Sequence, residues 1–323
     1  MDIATETRSI GVLIFPEAQV LDVTGPHEVF SSARHLLEKA RASIGYDVFL
    51  VSKTRKPLKV SSGIEIVPDY DFQSCPSSLD TLIVPGAENI RQVLEDSELL
   101  NWIGAQSGNV RRLVSICTGA FLLADLGLLD GKRITTHWAY CEDMRRLFPQ
   151  LKIDSDAIFI QEGNVYTSAG VTAGIDLSLA LIEEDVGKKI AMSVARKLVV
   201  FYRRPGGQKQ FSDFLMSQSD SPFGALVDWM IENLSEDLSI EMLAQRVNMS
   251  QRNFARKFKE VRGETPGKFV ERLRICQARM LMENSDVVLK TVARKCGFNT
   301  EEQMRRAFQR ELSVTPNEYR TRF

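Results

Sequence analysis

The sequence predicts two unlike domains: an α/β layer with a mostly parallel sheet, followed by an all-α domain made of two helix-turn-helix units. Three observations carry that expectation. Residues 9–204 alternate short β-rich runs with helical stretches, the pattern that parallel sheets require. The last third repeats one helical pattern about fifty residues further on, a spacing that chance seldom supplies over several matched features. The charge is divided as well, with 17 Lys+Arg against 9 Asp+Glu over residues 250–323 and 24 against 33 over the rest of the chain.

Bulk composition excludes several classes. With 323 residues, 44% hydrophobic and 26% charged, the chain is ordinary soluble material with room for two cores. The start MDIATETRSIGVLIF lacks a basic segment followed by an apolar stretch and a small-residue cleavage site, and no apolar run approaches a membrane span. A cytoplasmic protein without membrane contact is the expectation. Five cysteines with no Cys-x-x-Cys pair, and only three histidines, disfavour a disulfide framework and a structural zinc site. Neither a metal nor a cofactor is expected. Cys75, Cys141, Cys276 and Cys296 read as structural.

In the first domain, residues 10–15, 46–52, 79–84 and 112–116 are apolar, β-branched runs of strand length. Pro205-Gly206-Gly207 and the run SQSDSP at 217–222 break periodicity, which places a flexible connection at 205–222 between domains spanning 9–204 and 223–323. A helix beginning in 223–234 leads into the repeats.

The chemistry of the first domain centres on Cys117. The stretch LVSICTGA is an apolar strand, a cysteine, then a small-residue helix start, an elbow that exposes a side chain where a helix N-terminus can lower a thiol pKa. Asp22, before Gly25-Pro26, supplies a carboxylate, or caps a helix that begins near that pair. Pro85-Gly86-Ala87 makes a turn after another strand. His137, before Trp138, orients a ligand or is a satisfied core histidine. Asp22, Gly86, Ala87, Cys117, Thr118, His137, Ala169 and Gly170 form the candidate ligand set.

In the second domain Ile240, Leu243, Ala244 and Val247 recur at helical spacing, a turn follows at Asn248-Met249, and Ser250 is placed to cap a helix with Phe254 and Phe258 inward. Leu289, Val292, Ala293 and Cys296 repeat the spacing, Gly297-Phe298 makes the turn, and Met304 and Phe308 point inward. Thr300-Glu301-Glu302-Gln303 has capping-box form. Each copy ends in Thr-Pro followed by an aromatic, Phe269 or Tyr319. Between the copies Phe269, Leu273, Cys276 and Met280 outline one amphipathic helix. A basic tail of this kind is the electrostatic footprint that double-stranded DNA requires. The candidate DNA contacts are Ser250, Gln251, Arg252, Asn253 and Arg256 in the first reading helix and Glu302, Gln303, Arg305 and Arg306 in the second. Arginine suits guanine edges and backbone, Glu302 a cytosine amino group, Gln303 an adenine, and Arg305 a phosphate. Two acids opening the second helix repel phosphate and weaken its binding.

From LSIEMLAQRVNMSQRNFARKF, CGF at 296–298 and VTPNEYR at 314–320, residues 223–323 resemble the AraC/XylS regulators, in which one chain reads two successive major-groove segments. From Asp22 with Gly25-Pro26, Pro85-Gly86-Ala87, Cys117-Thr118-Gly119-Ala120, GLLDG at 127–131, Thr136-His137-Trp138 and Ser168-Ala169-Gly170, residues 9–204 resemble the ThiJ/PfpI branch of class I glutamine-amidotransferase-like domains, a flavodoxin-like sandwich. In enzymes of that superfamily the resemblance makes the elbow cysteine a nucleophile, a carboxylate matching Asp22 its contact, and amides near Gly86 and Thr118 an oxyanion site. Thr118 stands where the protease type carries histidine, which argues against peptidase chemistry and leaves isocyanide-hydratase-like chemistry open.

The combination, together with RRPGGQ at 203–208, resembles GlxA-type regulators. That resemblance implies a homodimer, a small-molecule effector such as an amino acid, quaternary amine or other nitrogen compound, RNA polymerase as a partner, and no catalysis. The alternative is a Cys117- and Asp22-dependent hydratase, amidase or deglycase carrying a DNA-binding tail.

Overall fold

The computed structural model describes residues 6–202, 223–284, 287–312 and 314–322. The chain divides into two compact units, residues 1–208 and 209–323. The expected connection at 205–222 lies outside the described residues.

The first unit contains β1 (Glu6–Leu13), β2 (Ile44–Ser52), β3 (Leu58–Lys59), β4 (Glu65–Ile66), β5 (Tyr70–Asp71), β6 (Thr81–Val84), β7 (Arg112–Ile116), β8 (Arg133–Ile134), β9 (Lys152–Ile153), β10 (Phe159–Glu162) and β11 (Val165–Ser168). Among the described residues one seven-stranded sheet runs in the order β10-β11-β7-β6-β1-β2-β5. Its neighbours are parallel except β10 with β11. β6 and β7 are buried at every residue, as central parallel strands covered on both faces must be, which is why Leu82-Ile83-Val84 and Leu113-Val114 read as unbroken apolar runs. The four strands expected from the sequence are β1, β2, β6 and β7; the short β5, β10 and β11 were not anticipated.

The helices of this unit are α1 (Val20–Ala40), α2 (Ile90–Val93), α3 (Ser97–Ser107), α4 (Gly119–Asp125), α5 (Cys141–Leu147), α6 (Ala173–Val186) and α7 (Lys188–Leu198). α1, α6 and α7 pack on one another. α1 starts at Val20 and carries Pro26 within it, so the helix start expected near Gly25-Pro26 is corrected and Asp22 is no cap: it already lies in the first turn. At the amino ends of the strands, Asp185 near the end of α6 accepts from Tyr46 and Arg112, and Arg8 and Arg111 also pair with it. The burial of Asp185 disfavours its charge, yet the bonds and charge of Arg112 and its neighbours hold the carboxyl below the usual range. This network locks the edge of the layer opposite the site described below.

Among the described residues the second unit holds two small cores. Phe223, Phe254, Phe258 and Phe269 meet edge-to-face or tilted in the first, with Leu226, Met230 and Leu243 beside them. Val292, Cys296, Met304, Phe308 and Tyr319 make the second with Ile275, Ala278 and Met282. The long helix Pro266–Asn284 serves both. Along it Phe269, Val270 and Leu273 meet the first core as the spacing of Phe269 and Leu273 leads one to expect, whereas Ile275, Ala278 and Met282 enter the second, Cys276 is half-buried, and the Met280 side chain lies outside the described ones. Ile240, the first residue of its helix, is 39% exposed, while Leu243 and Ala244 are buried. Among the described residues no helix is long and apolar enough to cross a membrane.

Candidate functional site

Four loops converge at the carboxyl ends of neighbouring parallel strands, the crevice where open α/β sheets bind ligands. They follow β1, β6, β7 and β11; the first leads into α1, whose first turn carries Asp22, and the other three carry Gly86, Cys117 and Gly170. Cys117 closes β7 and precedes α4 with φ 57°, a left-handed conformation that a side chain adopts only where its surroundings force it. Its carbonyl accepts from the Thr136 hydroxyl at 2.8 Å, and its amide donates to Ser168 O at 3.1 Å. Gly170, at φ 94°, lies directly on it: a Cβ there would come within 2.3 Å of the Cys117 Cβ. Only glycine fits that approach.

Asp22 is fully buried and ties three segments together. One of its oxygens accepts from the Gly86 amide at 3.0 Å and the other from the Val171 amide at 2.7 Å. Burial pushes its carboxyl up to about 6, against the pull of those two amides. Val171, at φ 51°, is a β-branched residue in the left-handed region, and its amide is aimed at Asp22. Thr118 clasps the neighbouring loop, its hydroxyl donating to Ala87 O at 2.7 Å and accepting from Ala87 N at 2.9 Å. Burial pushes the Cys117 thiol far up and Asp22 pushes it further; hydrogen bonds from Thr118 recover only part. The expected lowering by the helix start is reversed, because removal from water outweighs one helix end. The site thus holds a neutral thiol beside a saturated carboxylate.

The second unit repeats its geometry at the two turns. Asn248 has φ 52° and Gly297 φ 77°, and the following amides, Met249 N and Phe298 N, reach Ala244 O and Ala293 O at the same 2.9 Å. Ser250 caps the helix Gln251–Arg262 by accepting from Asn253 N at 3.4 Å. Thr300 accepts from Gln303 N at 3.0 Å to open the helix Glu301–Leu312, while Gln303 reaches back to Asn299 N at 2.8 Å, one residue beyond the usual capping box. With Phe254 and Phe258 buried, Gln251, Arg252 and Arg256 lie exposed; with Met304 and Phe308 buried, so do Glu302, Gln303, Arg305 and Arg306. Exposed polar residues on helices fixed by buried aromatics present a rigid face to a groove.

Residues 8–184, more than half of the chain, match the DJ-1/PfpI family. The chain belongs to the DJ-1/PfpI family. Residues 243–322 match a helix-turn-helix domain, so the DJ-1/PfpI unit is joined to an AraC-type one. An isonitrile hydratase of Pseudomonas putida is 38% identical over 190 residues, 58% of this chain and 77% of that protein. The HTH-type transcriptional regulator GbdR of Pseudomonas aeruginosa is 26% identical over 317 residues, 97% of this chain and 84% of that protein. The crystal structure of a ThiJ/PfpI family protein from Pseudomonas syringae aligns with a TM-score of 0.52 at 25% identity, covering 80% of this chain and 89% of that one. The flavodoxin-like α/β layer followed by helix-turn-helix units is the architecture expected from the sequence.

Within the DJ-1/PfpI unit the structure brings Asp22, Gly86, Ala87, Cys117, Thr118 and Gly170 together. Ala169 is buried beside them with its amide held by Ile158 O at 2.8 Å. His137 is not drawn to Cys117: its Nδ1 accepts from Ala139 N at 3.3 Å in its own turn, and burial lowers its pKa. Sequence reasoning missed Val171 and Tyr140. The Tyr140 phenol is pushed up by burial and by Cys117, and its hydroxyl donates to Glu88 O at 3.3 Å. Val171 follows a quoted motif directly and was findable; nothing in the spacing pointed to Tyr140. The Gly86 amide, a candidate oxyanion donor, is already engaged by Asp22. Among the described residues no group of His, Cys, Asp or Glu gathers with metal-ligand geometry.

Proposed function

We propose that this chain is a ligand-responsive, sequence-specific transcription regulator in which the pocket at Cys117 senses a small metabolite and the two reading helices bind successive turns of double-stranded DNA. The observation that carries the reading is the duplicated, independently capped reading helix with an exposed polar face, joined to a DJ-1/PfpI unit. The sensing domain is assigned to 9–204 and the DNA-binding domain to 223–323. Ser250, Gln251, Arg252, Asn253 and Arg256 form the first contact surface and Glu302, Gln303, Arg305 and Arg306 the second. The side-chain oxygen of Gln303 is occupied by its cap, so adenine pairing there competes with the helix start. Asp22, Gly86, Ala87, Cys117, Thr118, His137, Ala169 and Gly170 surround the effector. The effector is a small nitrogen compound, the working form is a cytoplasmic homodimer, and RNA polymerase is the downstream partner. An effector shifts DNA binding only by its differential affinity for two states of the protein. Titration of amino acids and quaternary amines against the DNA affinity of the full chain tests this. One compound should change affinity by fivefold or more, on the order of ordinary coupling energies, and lose its effect in Cys117→Ala; an unchanged affinity across the whole panel counts against sensing.

A second reading is favoured by one observation, the 38% identity to an isonitrile hydratase over the DJ-1/PfpI unit. In it Cys117 and Asp22 remain catalytic. The neutral thiol and the doubly bonded Asp22 weigh against it, since nucleophilic attack requires thiolate. Turnover of an isocyanide, amide or glyoxal that vanishes in Cys117→Ala while DNA binding survives would establish it.

A further inference from the structure

The two reading helices are alike in backbone and unlike in charge. The helix Gln251–Arg262 carries five cations and one acid, whereas Glu301–Leu312 carries three of each. Near the helix start the sign reverses: fifty residues after Arg252 stands Glu302. Among the described residues Arg252 has no ion-pair partner. Glu302 receives the Arg305 guanidinium in a two-pronged pair at 2.6 and 2.8 Å and Arg306 at 2.9 Å. These bonds, Arg305 first and Arg306 next, hold its carboxyl at about 2, so it stays charged at every physiological pH. Arg256 in the first helix pairs with Glu260 instead, one turn further from the helix start at 2.7 Å.

Resting on the DNA-binding reading, we propose that Glu302 is a specificity-determining gate that keeps Arg305 and Arg306 from phosphate until a matching base edge replaces them. On DNA of arbitrary sequence the carboxylate repels phosphate and the two arginines stay paired to it, so the second helix adds little sequence-independent affinity. Where a cytosine amino group faces Glu302, the carboxylate gains a donor from the base and Arg305 is freed to swing to the backbone. The first helix then supplies general affinity through Arg252, and the second adds binding only at a matched site. Discrimination is obtained by weakening the wrong complexes, as like-charge juxtaposition does at other interfaces.

The test uses the full chain, a random-sequence duplex and a duplex recovered by in vitro selection with the parent protein, each titrated at several salt concentrations. Glu302→Gln should bind the random duplex about three- to tenfold tighter, with a salt dependence steeper by roughly one to two, the mark of one or two additional phosphate contacts. Its preference for the selected duplex should shrink. Glu302→Ala, which removes the same carboxylate without a new amide, should move in the same direction. Random-duplex binding no tighter than the parent's in both variants overturns the gate. Arg252→Ala run in parallel separates the two levels: weakened binding in it with no change in the Glu302 variants sinks the gate alone, and binding unchanged in all three sinks the DNA-reading assignment beneath it.

Discussion

Asp22 shows what a single residue contributes to the site. Its carboxylate joins α1, the loop after β6 and the loop after β11 through two amides, and burial raises its pKa to about 6. The folded state therefore binds the proton more tightly than the unfolded chain does. The stability that follows is fully present below the unfolded value near 4 and is lost as pH rises through about 6. The stability difference between the parent and Asp22→Asn should accordingly fall by ~3 kcal/mol from about pH 4 to pH 7; urea titrations across that range read it, and a flat difference would place the burial of Asp22 in error. Gly170→Ala should cost ~3 kcal/mol or more in the same assay, because its Cβ would strike Cys117 at 2.3 Å in a backbone conformation of φ 94°. Most of these residues were legible. Cysteine after an apolar strand, aspartate before Gly-Pro and glycine after Ser-Ala are local patterns. Tyr140 and the tight engagement of Gly86 were not, because they depend on which loops the sheet order brings side by side.

At the scale of elements, the two reading units came through the sequence because their turns, caps and inward aromatics are all local. The fifty-residue offset holds from Phe254 onward, and at the turns the matched pair Asn248 and Gly297 is forty-nine apart, which Asn299 makes up. The connecting helix was harder. A periodic stripe identifies one buried face, but Pro266–Asn284 changes cores midway and its buried residues rotate from Phe269 and Val270 to Ile275, Ala278 and Met282. Its junction is fixed by Arg274, which donates to Leu234 O at 3.2 Å and Glu236 O at 3.1 Å, and by Gly297, where a Cβ would lie 2.0 Å from Leu234 O. Gly297→Ala should therefore destabilise the DNA-binding unit by about 2 kcal/mol or more and loosen the spacing between readers. Thermal unfolding should show the loss, and affinity for a two-turn site should fall more than affinity for a single-turn site. Equal affinity losses at both would mean that the junction does not set the spacing.

For the whole molecule, the near-zero net charge conceals a basic tail on an acidic body, and division along the chain makes DNA binding legible where the total of −1 does not. The fold class and the order of the two units were likewise readable, because alternation and repetition extend over many residues; the short strands β5, β10 and β11 were not, since a four-residue run such as VYTS carries no period of its own. The central claim is that the first reading helix directs this chain to specific DNA. Arg252→Ala and Arg256→Ala should each cost on the order of 1–3 kcal/mol at such a site. Genome-wide occupancy mapping of the native protein against the Arg252→Ala/Arg256→Ala double variant tests the claim most directly. A small set of sharp sites present with the parent and lost with the variant is the predicted result, and occupancy indistinguishable between the two would contradict it.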